Sequence, residues 1–329
     1  MPPGPLVALP GSPRGPHPLH APDRLWPETS CYADLWIELL AALGHPPEAA
    51  LGFGLAVAYE GDQFTFLKPP LSDLEALFGL RVVELALWDG IEPHVLVQLA
   101  RGRPVLLEVD AFHLPDTRGL TWHRSHAKTT IAITALDPVR RRLGYVHNGG
   151  WFEAEGGDVD GILRSGPAGR APPELLPPYA ESVEQGPIPP PDALAERALL
   201  LLRRHLEPAL RHDPIALWRL DLAGQLARLL GEPIELFHRW AFNLTRQLGA
   251  AFELLAAHLA WLARAGDHEL RPAIDPALDL ARGAHTLQMQ IARAVHRRRP
   301  IDPDPLLDRL QTARRACLEI LYRALGGGR

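Results

Sequence analysis

The first part of the chain alternates between helical and extended patterns of apolar residues. Apolar positions recur at helical spacing over residues 31–43 and stop at Gly44, so a helix is predicted to begin at Cys31. The next segments are predicted as strands at 52–59 and 63–67, a helix opened by Ser72, a strand at 81–87, a helix around 93–100 and a strand at 105–109. This mixture of elements indicates an α/β or α+β layer.

A β-hairpin is predicted after these elements. Residues 129–136 and 143–147 are rich in β-formers, and Asp137, Pro138 and three arginines separate them. His126 precedes the first strand and Asn148 follows the second. Because antiparallel pairing brings those two ends together, the two side chains are predicted to lie close to each other.

Proline-rich stretches at 172–178 and 187–191 interrupt regular structure and predict a domain boundary. Beyond them the pattern is helical almost throughout, over residues 193–210, 216–230, 234–265, 276–295 and 305–325. The predicted fold class is therefore α+β, with a mixed or antiparallel sheet in the N-terminal domain and an all-α C-terminal domain. The predicted division is a Pro/Gly-rich lead-in at 1–18, the first domain at 19–170, a linker at 171–191 and the helical domain at 192–329.

Composition narrows the functional classes. The net charge is −5, and no run of Lys or Arg is longer than the three residues at 297–299, so no footprint for nucleic acid is expected. No apolar run approaches the roughly 20 residues that span a bilayer, and residues 1–18 lack the charged start and apolar centre of a secretory signal. A cytoplasmic protein without a disulfide between Cys31 and Cys317 is predicted.

Lysine and asparagine are rare in an arginine-rich chain: lysine occurs at Lys68 and Lys128 and asparagine at Asn148 and Asn243, against 32 arginines. This is the bias that a GC-rich genome produces. Under such a bias, the lysines and asparagines that remain are enriched at positions where a different side chain would not function. Chance survival is the competing interpretation. Lys128 is thus a candidate to meet a phosphate or carboxylate, and the role of Lys68 stays open.

The predicted position of Cys31, in the first turn of a helix, suits a nucleophilic thiol. Unpaired N–H groups and the positive end of the helix dipole stabilise a thiolate there. The competing interpretation is a small buried apolar residue, which is the commoner state of a cytosolic cysteine. Cys317 lies in the middle of a predicted helix and is expected to serve packing.

A base and an orienting group are the other requirements of a thiol site. His126 can supply the first and the amide oxygen of Asn148 the second, in the order Cys, His, Asn of papain-like enzymes. The Cys31 N–H would form part of the oxyanion hole. Papain-like enzymes usually carry glutamine six residues before the cysteine, whereas this chain has Leu25. His126 as a surface residue and Asn148 as a turn former are the competing interpretations.

Other polar groups are candidates for substrate binding. Asp110 and Asp116 stand just before the histidines of the hairpin, although both could be plain strand-end or turn residues. Asn243, Arg246 and Gln247 form a polar stripe on a long helix, which is either a substrate-binding face or a solvated one. A metal site is a minority interpretation because no spacing matches a strong zinc signature; it would draw on His113, Asp116, His123, His126 and His147.

Five separate blocks of the chain resemble the bacterial domain-of-unknown-function 1839 family: WPETSCYADLWIELL, GDQFTFLKPPLSDLEALFG, EVDAFHLPDT, SHAKTTIAI and LGYVHNGG. More distantly, the early cysteine, the D-x-x-x-LP segment and the histidine strand resemble the butirosin biosynthesis protein H-like domain. That second resemblance implies a papain-like fold whose cysteine accepts an acyl group from the phosphopantetheine arm of a carrier protein and passes it to an amine.

Together the two resemblances imply transfer of an aminoacyl group, because the first family tends to be encoded beside carrier proteins and ligases that load amino acids. They imply Cys31 as nucleophile, His126 as acid/base and Asn148 as orienting residue, in place of the aspartate that many relatives carry. The implied partners are an acyl or aminoacyl carrier protein and a small amine, with no bound cofactor.

Three other functions are compatible with the sequence. The same three residues could serve a cysteine peptidase, amidase or thioesterase. The domain could also be a non-catalytic binding module, or a metal-dependent hydrolase built on the His/Asp cluster.

Overall fold

The computed structural model describes residues 15–165 and 177–326, which form two compact units. The first, here called the sheet unit, comprises the chain up to Ala21, Cys31–Pro47 and Leu74–Pro189. The second, here called the helical unit, comprises Pro22–Ser30, Glu48–Asp73 and the chain from Pro190. Two N-terminal segments thus group with the C-terminal helices, an exchange that no local sequence pattern indicates.

The described part of the sheet unit contains a six-stranded sheet in the spatial order β1-β6-β2-β3-β4-β5, with antiparallel pairing throughout. Its strands are β1 (Leu80–Glu84), β2 (Val105–Asp110), β3 (Lys128–Asp137), β4 (Arg142–His147), β5 (Gly150–Glu155) and β6 (Ala180–Gln185). This sheet, followed by a largely helical C-terminal part, confirms the α+β class.

The helices of the described residues follow in chain order. They are α1 (Cys31–Ala42), α2 (Leu71–Phe78), α3 (Ile91–Leu99), α4 (Gly157–Ile162), α5 (Leu194–Arg211), α6 (Pro214–Gly231), α7 (Ile234–Asn243), α8 (Thr245–Ala265), α9 (Ile274–Arg297) and α10 (Asp304–Ala324). The prediction that a helix begins at Cys31 is confirmed, as is the β3–β4 hairpin.

The two faces of the sheet are covered by different helices. On one face, Val105, Leu107 and Val109 of β2 pack in a core that includes residues of α3 and α4. Because successive strand residues point to opposite faces, Leu106, Glu108 and Asp110 belong to the other face. Helix α1 packs against β3 and β4, and its Tyr32 reaches the β6 residue Glu181, which pairs with Leu106. Helix α1 therefore covers the second face, here called the α1 face.

The predicted strands at 52–59 and 63–67 are wrong. The chain forms a 3₁₀ helix over Pro47–Ala56, and the only pairing described here is an isolated bridge between Tyr59 and Phe64. This segment packs closely against α8, where a Cβ on Gly54 would lie 2.3 Å from the carbonyl oxygen of Ala251. An apolar run buried against a helix was mistaken for a strand, because composition alone does not separate the two.

Two strands of the sheet were not predicted. Strand β5 directly follows the hairpin, and β6 (Ala180–Gln185) lies within the stretch assigned to the linker, where it pairs with both β1 and β2. Strand β6 has polar residues at most positions, and its Glu181 and Ser182 are buried, so it lacks an apolar alternation. Residues 1–14 of the predicted lead-in and 171–176 of the predicted linker lie outside the described residues.

One stretch of the helical unit, Ile234–Ala265, is long and apolar enough to cross a membrane by length and composition. Of its most apolar window, 72% is buried inside the protein, as in a core helix. The stretch is divided at Leu244, which lies between α7 and α8.

Candidate functional site

Cys31 is the first residue of α1 and is partly buried. The next residue, Tyr32, is buried and donates its hydroxyl to Glu181 Oε2 at 2.5 Å. Burial, followed by the hydrogen bond to Glu181, raises the pKa of Tyr32, so its hydroxyl stays protonated. This bond fixes the first turn of α1, and with it the cysteine, to β6, the second strand of the sheet.

Glu181 links the start of α1 to an open groove in the sheet unit. Its second oxygen, Oε1, accepts a hydrogen bond of 2.6 Å from the Tyr179 hydroxyl, and Tyr179 lines that groove. The groove has a volume of about 690 Å³, and its charged lining residues are Glu108, Asp110, His126, Lys128 and Arg164. A fully buried carboxylate with two tyrosine donors is a satisfied polar centre, which holds the groove wall and the cysteine helix in one arrangement.

His126 stands in this groove with a fixed ring orientation. Its Nδ1 lies 2.5 Å from Asp110 Oδ2, and its ring stacks on Phe112 with 4.7 Å between centroids. An ionised carboxylate can only accept a hydrogen bond, so the proton of the neutral imidazole resides on Nδ1. The other nitrogen, Nε2, is then free to accept a proton, and 75% of the side chain is exposed.

The hydrogen bonds of Asp110 favour its ionised form. Its other oxygen, Oδ1, accepts the backbone N–H groups of Phe112 and Ala127. Burial alone would raise the pKa of Asp110, but the hydrogen bonds from His126, Phe112 and Ala127 outweigh it and hold that pKa below its usual value. Asp110, which was predicted to bind substrate, thus holds the His126 ring through Oδ2.

Asn148, the predicted orienting residue, forms the turn between β4 and β5 with φ of 45°. Its side chain makes no hydrogen bond with His126, whose Nδ1 is taken by Asp110. Asparagine tolerates left-handed backbone geometry better than most residues, which accounts for its presence in this turn. Of the predicted catalytic set, Cys31 lies at the start of α1 and His126 lies in the groove, where its Nδ1 contacts Asp110 and not Asn148.

Asp116, predicted to bind substrate, lies in a buried network that includes the opposite face of the sheet. It accepts hydrogen bonds from the Tyr145 hydroxyl at 2.5 Å and from His147 Nδ1 at 2.6 Å. His147 Nε2 in turn lies 2.8 Å from the hydroxyl of Thr129. The chain hydroxyl–imidazole–carboxylate is that of a catalytic triad, but Thr129 is only 8% exposed. The network anchors the segment after β2, which carries Phe112, to the sheet.

The other predicted binding residues have partners of their own. Lys128 lines the groove and forms a 2.6 Å ion pair with Glu108. In the helical unit, Asn243 is exposed and donates to the Arg239 carbonyl, while Arg246 lies over the Phe242 ring. Gln247 is 1% exposed and is held by Leu67 N–H and the Phe242 carbonyl, so it serves the interior of that unit.

Two further candidates from the sequence are Cys317 and a metal site. Cys317 is fully buried, and burial raises the pKa of its thiol to about 12, so it stays neutral. Among the residues described, no group of three or more His, Cys, Asp or Glu side chains is arranged to hold a metal ion. The contacts that sequence reasoning missed include those of Glu181 with Tyr179 and with Tyr32, the second across 149 residues, and that of Phe112 with His126.

Comparison with protein families assigns both parts of the chain. The DUF1839 N-terminal domain matches residues 15–185, and the DUF1839 C-terminal domain matches residues 191–323. The chain belongs to the DUF1839 family. A search of curated proteins found no match. The N-terminal family domain contains Cys31 and the whole of the His126 groove.

Proposed function

We propose that this DUF1839 protein is a thiol-dependent acyltransferase with a papain-like site on its antiparallel sheet. Cys31 is the nucleophile, His126 the general base and Asp110 the residue that orients the base. The main support for this proposal is the hydrogen bond between Asp110 and His126. It fixes the imidazole tautomer and leaves Nε2 exposed in a groove.

The arrangement of α1 supports the role of Cys31. A thiol at the start of a 12-residue helix meets the positive end of the helix dipole, which favours the thiolate. Tyr32 and Tyr179 share Glu181, so the start of α1 is tied through one carboxylate to the wall of the groove that holds His126.

The acyl donor is inferred from the resemblance to butirosin H-like domains: an acyl or aminoacyl thioester on the phosphopantetheine arm of a carrier protein. Cys31 thiolate attacks the thioester carbonyl and the carrier thiolate leaves, which gives an acyl-Cys31 thioester. An amine then attacks that carbonyl, its proton passes to His126, and Cys31 leaves as thiolate with formation of an amide. One thioester replaces another in the first step, so orientation is the main demand on the protein.

The first test is the reactivity of the two cysteines. Iodoacetamide at pH 6 should alkylate Cys31 much faster than Cys317, and His126→Gln should reduce the rate at Cys31, because a thiolate and not a thiol is the nucleophile. Equal rates at the two cysteines would favour a binding module without catalysis.

The second test is acyl transfer itself. Incubation with a loaded aminoacyl carrier protein, followed by intact-protein mass spectrometry, should show the acyl mass on the wild type and on Cys317→Ala, but not on Cys31→Ala. An added amine should then discharge the acyl-enzyme as an amide. Discharge by water alone would make the protein a thioesterase, and cleavage of a peptide panel without carrier acylation would make it a peptidase or amidase.

A further inference from the structure

The helical unit contains a cavity of about 340 Å³ that is separate from the His126 groove in its lining. Its walls come from the segment after the 3₁₀ helix Pro47–Ala56 and from α5, α6 and α10, and its apolar lining includes Leu55, Val57, Tyr59, Pro208 and Leu217. Cavities of this size and composition are typical of sites for small ligands. Two exposed polar residues, Glu60 and His212, also line it.

Arg314 of α10 is the one buried cation in this lining, with 7% of its surface exposed. Its Nη2 donates to the carbonyl oxygens of Ala209 and His212, at 2.7 and 2.8 Å, at the end of α5. Within the described ranges, neither Nε nor Nη1 has a hydrogen-bond acceptor. Three of the five guanidinium N–H groups therefore have no acceptor among the described residues.

Asp213 forms a long ion pair with this guanidinium and makes no hydrogen bond to it. Asp213 Oδ1 lies 4.0 Å from Arg314 Nη1, beyond hydrogen-bond distance. Both oxygens of Asp213 are engaged elsewhere, by the N–H groups of Ile215 and Ala216 at the start of α6 and by Gln311. Burial lowers the pKa of the Arg314 guanidinium by more than the charge of Asp213 raises it.

A buried guanidinium with open donors beside an apolar cavity is complementary to a small amphipathic anion. We propose that this cavity binds a small apolar carboxylate, with the carboxylate on Arg314 and the hydrocarbon body against Leu55, Val57 and Leu217. The ligand gains a charge-assisted hydrogen bond and buries apolar surface in the same event. The site is independent of the proposed acyl transfer, so Cys31→Ala should retain it.

The probes are octanoate, octanol and octylammonium, which share a chain and differ in head-group charge. Isothermal titration of the full chain should give octanoate an affinity roughly tenfold or more above that of octanol, and no measurable binding of octylammonium. Octanoate should also raise the Tm in a concentration-dependent manner. Equal affinity for the three probes, or no binding of octanoate, would overturn the proposal.

Two variants on one helix locate the site. Leu217→Trp places a large ring at a half-exposed lining position and should abolish octanoate binding, whereas Leu220→Trp, on the same helix at a 78% exposed position outside the lining, should leave it unchanged. Octanoate binding that survives Leu217→Trp would place the ligand elsewhere and refute the site. Arg314→Gln alone is a weaker test, because Arg314 also holds the end of α5 and its loss can unfold the protein. Leu217→Trp changes a half-exposed side chain and therefore tests the site in a folded protein.

Discussion

Asp110 and His126 form a single hydrogen-bonded unit, with 2.5 Å between Asp110 Oδ2 and His126 Nδ1. The aspartate ends β2, and the histidine precedes β3, its neighbour in the sheet. Strand pairing brings Asp110 opposite Lys128, two residues after the histidine. The register of β2 on β3 therefore determines the orientation of the proposed base.

The first prediction separates Asp110 from Asn148 as the orienting residue. Asp110→Asn should reduce acylation of Cys31 roughly a hundredfold or more, because an amide can stabilise the wrong imidazole tautomer and cannot balance the imidazolium charge. The measurement is single-turnover acylation by a loaded carrier protein, with iodoacetamide alkylation as a second readout.

Asn148→Gly is the matched control, since glycine adopts a φ of 45° without strain and removes only the side chain. In this variant, Cys31 should be acylated by the carrier protein at the wild-type rate. A large loss in Asn148→Gly with little change in Asp110→Asn would restore Asn148 as the orienting residue and contradict the role given to Asp110.

The second prediction concerns the polar stripe of the helical unit. Gln247→Ala should destabilise the protein by about 1–3 kcal/mol, because it leaves the buried N–H of Leu67 without an acceptor. Asn243→Ala, at an exposed position nearby, should change stability by less than about 0.5 kcal/mol. Urea unfolding measures both. If Gln247→Ala were as stable as the wild type but impaired acyl transfer, Gln247 would be a substrate contact.

The third prediction tests the packing of the β4–β5 turn. A Cβ on Gly149 would lie 2.6 Å from Cγ of the His20 ring, so Gly149→Ala forces the turn or the ring to move. The expected cost is about 1–3 kcal/mol, as for other overpacked positions. Gly157→Ala, where a Cβ meets nothing within 4 Å, should cost nothing. Combining Gly149→Ala with His20→Ala should recover part of the lost stability, and strict additivity of the two changes would argue against this contact.

The sequence predicted those parts of the site that depend on local pattern. Helical periodicity and the Gly and Pro residues that follow it were sufficient to place Cys31 at a helix start. The β-rich runs on either side of Asp137 were sufficient to define the hairpin, and His126 lies just before it. Strand β6 was missed because it depends on tertiary contacts: its buried Glu181 accepts a hydrogen bond from Tyr32, which is 149 residues away, as well as one from the nearby Tyr179.

The contact of Asp110 with His126 was not predicted for a similar reason. Sequence order and resemblance favoured Asn148, and the hairpin does bring it to the same end of the sheet as the residues before β3. Which carboxylate or amide meets His126 Nδ1, however, depends on the pairing of β2 with β3, and register is not encoded in either strand alone.

The last prediction is a pH dependence of stability set by His20. This imidazole is buried between two carboxylates on α1: its Nδ1 lies 2.7 Å from Glu38 Oε1 and its Nε2 lies 3.5 Å from Asp34 Oδ1. Burial alone would lower the pKa of His20, but Asp34 and Glu38 raise it from 6.5 to about 9. A raised pKa means that the folded state binds the proton more tightly than the unfolded chain does.

The stabilisation from His20 is therefore complete below pH 6.5 and is lost as the pH rises through about 9. A shift of this size corresponds to about 3 kcal/mol in the free energy of unfolding. Burial lowers the pKa of His258 to about 4, so this residue changes stability at acidic pH, and Cys317 changes it above pH 9. The interval between pH 6.5 and 9 therefore reports on His20.

Urea unfolding of the wild type should show a decline in the free energy of unfolding across this interval, and His20→Gln should flatten that decline. His268→Gln, at an exposed position, should keep the wild-type slope. A slope that persists in His20→Gln would assign the pH dependence to another group and remove His20 as the charged link between α1 and the Asn148 turn.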